Sequence, residues 1–232
     1  MKRVLESTSR RSVCPTDLEQ DRRPGRHTVD RSFAGHTSIA AFLCTTVMLA
    51  VAGCQSSAPE PARWEVVSPD AMNSAQITQR EQAVAARDAM FSRLKKKLIE
   101  AIGTEGVGGA IVVCSEEAPR IAANVAQEHD VAIGRTSFRL RNPENTPPEW
   151  AKGLVAERIE ESTFLSRGER LAALLPIRLQ VPCLMCHGPA ESLPPEVKDA
   201  LDQHYPNDEA TGFEHVQLRG WFWVEVPGDT GG

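Results

Sequence analysis

Between residues 84 and 102, apolar side chains return at three- and four-residue steps. Val84, Phe91, Leu94, Leu98 and Ile102 form one row, with Arg87 inside it. That period predicts a helix with a single apolar stripe. Ser68-Pro69-Asp70 offers its start: a capping serine, a proline in the first turn and an acid at the positive end of the helix dipole. Gly103 is the expected stop, with a turn over Gly106 to Gly109. The next stretch, GGAIVVCSEEAPRIAANVAQEHDV, has two sides. Ile111 to Val113 is β-branched like a strand, but Ala110, Val113, Cys114, Ala118, Ile121 and Val125 keep a helical step. The longer pattern predicts a second helix, bent or broken at Pro119.

Beyond Val131 the period changes. Ala132 to Arg141 (AIGRTSFRLR) alternates and predicts a strand, as does Leu171 to Gln180, where Pro176 implies an edge position or a bulge. Gln217 to Val226 (QLRGWFWVEV) alternates strongly and predicts a terminal strand. Between them lie a Pro- and Asn-rich loop from Asn142 to Pro148, a short helix from Pro148 to Glu161, and a mostly irregular span over 188 to 215 with one short helix. Helices first and antiparallel strands afterwards predict an α+β domain.

The beginning of the chain follows different rules. Residues 1 to 38 are Arg-rich and precede an apolar run, IAAFLCTTVMLAVA, from Ile39 to Ala52. A spanning helix needs roughly 20 apolar residues; this shorter run suits the hydrophobic part of an export signal. Its end, Val51-Ala52-Gly53-Cys54, resembles a bacterial lipobox. The resemblance implies a diacylglyceryl group on the Cys54 thiol and cleavage just before it. A buried apolar helix or a plain membrane anchor is the rival account. The polar segment before the run is long and carries acids, whereas a start near Val29 would leave an ordinary signal. The paired arginines lack the hydrophobic sequel of a twin-arginine signal, so Sec-type export is expected. The expected organisation is thus a signal over 1–53, a lipidated flexible tether over 54–69 and a domain over 70–232. The expected location is the cell envelope, facing the periplasm. Gln55 rather than Asp after the cysteine resembles the sorting pattern of outer-membrane lipoproteins.

Charge narrows the partners. The formal net charge is -5, and the first 53 residues carry eight Lys or Arg and five Asp or Glu, which leaves -8 for the remainder. A nucleic-acid-binding protein usually shows a basic excess, so nucleic acid is excluded as the main partner. Membrane attachment through Cys54 is the one partner the sequence names directly. The Lys95-Lys96-Lys97 run is expected to be a solvated face.

The densest chemistry lies in PCLMCHGPAE, residues 182 to 191. Covalent haem attachment needs two thiols to form thioethers and a histidine to bind the iron, and C-x-x-C-H supplies all three. Cys183 and Cys186 would be the attachment points and His187 the proximal ligand of a haem c. Pro182 before the motif and Gly188-Pro189 after it favour an exposed, turn-bounded placement. A thioredoxin-like pair would sit at a helix start in a βαβ unit, which this pattern lacks. A zinc site would want four ligands and commonly two such pairs. A disulfide across two residues is a poor staple, but metal and disulfide stay open as alternatives.

One further thiol, Cys114, remains in an exported chain. It is either a small buried hydrophobe or a thiolate facing the iron. His129, His204, His215 and Met90 compete for that second axial position.

Taken together, several stretches resemble a family of exported bacterial c-type haem domains with a PAS-like fold. They are AIVVCSEEAPRIA (110–122), GRTSFRLRNPENTPPEW (134–150), CLMCHG (183–188), YPNDEATGF (205–213) and LRGWFWVEV (218–226). The resemblance implies an antiparallel sheet backed by helices, with the haem held against it and Cys114 as distal ligand opposite His187. Thiolate ligation would lower the potential, because an anionic ligand stabilises ferric iron. Arg135 and Arg139 would pair with the haem propionates, and Trp150 and Trp221 would pack near the macrocycle. The expected function is haem-based redox or gas sensing, or low-potential electron transfer, and not enzymatic catalysis. The chain would then need a redox or signalling protein as partner, and a small gas is a further possible ligand. The alternatives are a small haem enzyme such as a peroxidase, or a non-haem module.

Overall fold

The computed structural model describes residues 63–228, so the expected signal segment, Cys54 and the first part of the tether lie outside the described residues. Within the span expected as tether, Glu65–Val66 forms a short strand, β1. A long helix, α1 (Ser74–His129), comes next, followed by β2 (Ala132–Thr136), a short helix α2 (Lys152–Ala156), and the hairpin β3 (Thr163–Arg167) and β4 (Arg170–Arg178). One helical turn, α3 (Leu184–His187), then α4 (Pro195–His204) and the last strand β5 (Leu218–Val226) complete the order. The fold is α+β: one antiparallel five-stranded sheet, in the order β1-β3-β4-β5-β2, with helices against it.

The helix begins later than expected. Ser68-Pro69-Asp70 leads into a single 3-10 turn, and the cap is Asn73, whose side chain accepts from the Gln76 N–H while Gln76 reciprocates. Gly103 does not end α1, since a helix tolerates an interior glycine at a cost of about 1 kcal/mol. The break falls at Gly106, at φ 78° and ψ 178°, in the left-handed half of backbone space where glycine pays no Cβ penalty. The two expected helices are therefore two segments of α1 meeting at that residue, and Pro119 stays inside the second.

Alternation along the central strands divides the core. Leu171, Ala173 and Leu175 of β4, with Phe222, Val224 and Val226 of β5, face α1 and meet Ala83, Ala86, Met90, Leu94 and Val125. Leu174 and Trp221 face the opposite way, against Ala151 and Val155 at α2. Both faces of β4 are buried, which is why LAALL reads as a continuous apolar run. Each fully buried large side chain contributes about 1.5–3 kcal/mol. Pro176 fits the expectation: β3 has ended at the Thr163–Leu174 pair, leaving a local edge, and a bulge follows between Ile177 and Arg178.

A close backbone approach joins β5 to β2. Gly220 has φ 156°, and a Cβ there would lie 2.3 Å from the Thr136 carbonyl oxygen. Gly220→Ala is expected to cost about 1–3 kcal/mol, because the strands must part to admit one methyl group. Urea denaturation checks this; a midpoint equal to wild type would mean the two backbones are not in that contact.

Candidate haem-binding site

The expected helical stripe has a second purpose. Phe91, Leu94, Leu98 and Ile102 line a cavity of about 450 Å³ between α1, the sheet and the C-x-x-C-H segment. Phe91 is 38% exposed, so part of the stripe is apolar without being packed in the core. The volume lies in the usual range of small-molecule and cofactor sites, about 300–1,000 Å³.

The motif reaches the cavity as two consecutive turns. Val181–Cys183 forms a 3-10 turn with proline in its first positions, and α3 continues it. Cys183 and Cys186, three residues apart on one helical turn, lie on the same face, and both line the cavity with His187. Gly188 closes the turn by donating to the Leu184 carbonyl at 2.9 Å. A second segment braces it from outside: the Gly212 N–H donates to the Gly188 carbonyl at 2.7 Å, and the Phe213 N–H to the His187 carbonyl at 2.9 Å.

His187 donates through Nδ1 to the Ala210 carbonyl, at 2.7 Å. That bond fixes the tautomer and leaves Nε2 as the nitrogen with a lone pair, the arrangement metal-binding histidines commonly use. Burial, helped by the Arg141 and Arg219 cations, holds the imidazole pKa well below its ordinary value. The three cysteines Cys114, Cys183 and Cys186 are free thiols. Burial pushes the Cys186 thiol up to about 11. Cys114 comes from the second segment of α1 and packs, like Cys186, against the cluster of Ile111, Leu193, Val197, Leu201 and Tyr205. It lines the same cavity.

The wall is cationic. Lys95, Arg135, Arg141 and Arg219 line it, and no Asp or Glu does among the described residues. Arg141 is compensated from behind: it forms a two-pronged pair with Asp208, at 3.1 and 3.2 Å, and donates to the Cys186 carbonyl at 2.6 Å. Arg219 meets only neutral acceptors among its hydrogen bonds, Ser137 Oγ at 2.8 Å and the Arg139 carbonyl at 3.0 Å. Burial and the neighbouring Arg141 and Arg135 cations lower its pKa to about 9. The Thr136 hydroxyl, also in the wall, is buried with no partner. A bound group with anionic arms would complement Arg219.

Cys183, Cys186, His187, Cys114 and Arg135 therefore meet in one place. Arg139 does not join them. Its guanidinium donates to the Glu209 carbonyl at 2.7 Å and to the Thr211 carbonyl, and stacks 4.5 Å from the Phe213 ring centre, outside the cavity wall. The two tryptophans also lie elsewhere. Trp221 is fully buried on the α2 side of the sheet with Nε1 donating to the Ile159 carbonyl, and Trp150 donates to Glu225. Met90 belongs to the main core, and His129, His204 and His215 are not in the wall. Sequence reasoning did not single out Arg141, Asp208, Arg219 or Tyr205. Their roles depend on partners up to 82 residues away, so the stretches that contain them carry the resemblance without showing what each side chain does.

The fold is α+β, and its cavity brings the C-x-x-C-H residues and Cys114 together. A family model described as Tll0287-like matches residues 66–227, and the chain belongs to the Tll0287-like family. Among solved structures it is similar to one described as the crystal structure of the cyanobacterial heme-protein Tll0287, at 20% identity and a TM-score of 0.48. That match covers 67% of this chain and 97% of the other. No curated protein matches this chain.

Proposed function

We propose that the chain is an exported, lipid-anchored mono-haem c-type protein, acting in haem-based redox or gas sensing or in low-potential electron transfer. One observation carries the reading: a single apolar cavity receives both thiols of the C-x-x-C-H motif, a histidine with Nδ1 engaged, and Cys114 from another element. Membership of a family whose namesake is described as a haem protein supports it, as does the unbalanced cationic wall. In this reading Cys183 and Cys186 would hold the haem as thioethers, His187 would bind the iron through Nε2, and Cys114 would supply a second protein ligand. Arg135 and Arg219 take the propionates, with Arg219 in the place first expected for Arg139. The PAS-like arrangement, the Cys54 lipid anchor and the envelope location belong to the same proposal. When bound, haem supplies a one-electron couple at its iron. The protein's own part is to hold that couple: Ala210 fixes the imidazole, the apolar stripe of α1 excludes water, and the arginines neutralise the carboxylates. Were His187 and Cys114 both to hold the iron, no open position would be left for chemistry of the peroxidase kind, which is why that reading ranks second.

The test is to express residues 55–232 behind a signal peptide in a host that matures haem c. A pyridine haemochrome spectrum and the intact mass are then recorded. A c-type spectrum and a mass increase of one haem are expected, both lost in the Cys183→Ser/Cys186→Ser variant. A colourless product from a host with active maturation would sink the reading in favour of a metal or disulfide module.

A further inference from the structure

One loop, residues 208–213, cradles His187. Ala210 at its centre is fully buried, and its carbonyl takes the imidazole Nδ1–H at 2.7 Å. A carbonyl keeps such an aim only while the peptide units on either side of it are fixed. Arg139 fixes both. Its Nε donates to the Glu209 carbonyl at 2.7 Å and its Nη2 to the Thr211 carbonyl, one residue before Ala210 and one after. A guanidinium is a rigid planar fork, so the two carbonyls it joins are held at a set spacing.

The clamp is itself anchored. The Arg139 N–H donates to Ser137 Oγ at 3.0 Å, and its carbonyl accepts from Arg219 at 3.0 Å. Its guanidinium lies 4.5 Å from the ring centre of Phe213, a fully buried side chain. That ring meets the His187 ring edge-on, with centres 6.4 Å apart, and the Phe213 N–H donates to the His187 carbonyl at 2.9 Å. Arg141 grips the same loop differently. It pairs with the Asp208 carboxylate and comes no nearer than 3.4 Å to the Ala210 carbonyl. Arg139 is the side chain that spans Ala210.

We propose that Arg139 is a positioning residue for the iron's histidine: its clamp on two carbonyls aims the third, that of Ala210, at His187 Nδ1. The inference rests on the haem reading above. It gives Arg139 a task at the histidine, where the family resemblance implied one at the propionates. An imidazole whose Nδ1–H is well accepted is a more basic ligand through Nε2. A more basic ligand favours ferric iron. Releasing the clamp lets the Ala210 carbonyl turn, weakens the Nδ1–H bond and shifts the couple toward ferrous iron. Loss of a positive charge near the haem acts the other way, so the sign of the shift separates the two causes.

Arg139→Lys keeps the charge and removes the fork. In that holoprotein, exchange of the His187 Nδ1 proton, followed by NMR on the ferrous form, is expected to quicken roughly tenfold or more, because the bond that protects it opens more often. The ferrous-to-ferric ratio at one fixed solution potential is expected to rise roughly threefold or more. Arg139→Met, with no donor left, must quicken the exchange at least as much. Arg158→Met is the control: that guanidinium lies 4.5 Å from the Phe138 ring centre and has no hydrogen bond to the loop among the described residues, so it should move neither reading. An unchanged exchange rate in Arg139→Lys, or a ratio that stays or falls, overturns the proposal. So does an equal effect in Arg158→Met, since general loosening of the aromatic cluster would then be the cause. Failure of the haem reading shows separately, as absence of haem absorbance, and exchange of the same proton in that haem-free protein still decides the clamp.

Discussion

Replacing Cys114 with alanine is expected to change the ferric absorption spectrum and to raise the reduction potential by on the order of 100 mV or more. Axial ligands move haem potentials across about 0.8 V, and on the proposed reading this change removes the only anionic one. A thiolate stabilises ferric over ferrous iron, so its loss makes reduction easier. Cys114 is well placed for the part. It sits in the cavity wall among Ile111, Cys186 and Tyr205, reached from α1 rather than from the segment that bears His187. Spectroelectrochemistry on the wild type and the variant decides the matter. An unchanged ferric spectrum and potential would make Cys114 a half-buried thiol with no bond to iron.

The C-x-x-C-H triplet was legible from sequence because its chemistry is contained in five consecutive residues, and the local turn needs only Pro182 and Gly188. The terminal strand was legible because its alternation is strong, and Leu171 to Gln180 because its apolar run was bounded by a proline-bearing end. β3 was not foreseen: Thr163–Arg167 is short, and only pairing with β4 and with Glu65–Val66 makes it a strand. The helix stripe has the right period, but period alone cannot separate a face that meets packed side chains from one that meets a cavity. Glycine positions misled in a similar way. Gly103 and Gly106 differ only in backbone angles that the sequence does not show. The arginines were hardest to place. Arg135, Arg139, Arg141 and Arg219 look alike in sequence, and their roles diverge through Asp208, Ser137 and the carbonyls of the 208–211 segment.

The second large effect follows from that divergence. Arg141→Met is expected to lower stability by about 3–5 kcal/mol, the usual cost of removing one partner from a buried ion pair. Arg141 and Asp208 have side chains only 7% and 8% exposed. Without the guanidinium, the Asp208 carboxylate would be left buried against the Ala210 N–H, which it accepts at 2.8 Å. A whole domain commonly has 5–15 kcal/mol in hand, so much of the margin would go. The damage also reaches the site by a short route. Asp208 holds Ala210, whose carbonyl holds His187 Nδ1, so the variant should also show a smaller fraction of haem with intact histidine ligation. Arg93→Met is the control. That guanidinium meets Glu128 at 2.5 Å, closer than Arg141 meets Asp208, but the two side chains are 41% and 51% exposed. Water screens such a pair, and little or no loss is expected. Urea denaturation of both holoprotein variants gives the comparison, with the absorption spectrum reporting ligation. Equal small losses at Arg141 and Arg93 would show that the buried pair neither stabilises the domain nor positions the histidine.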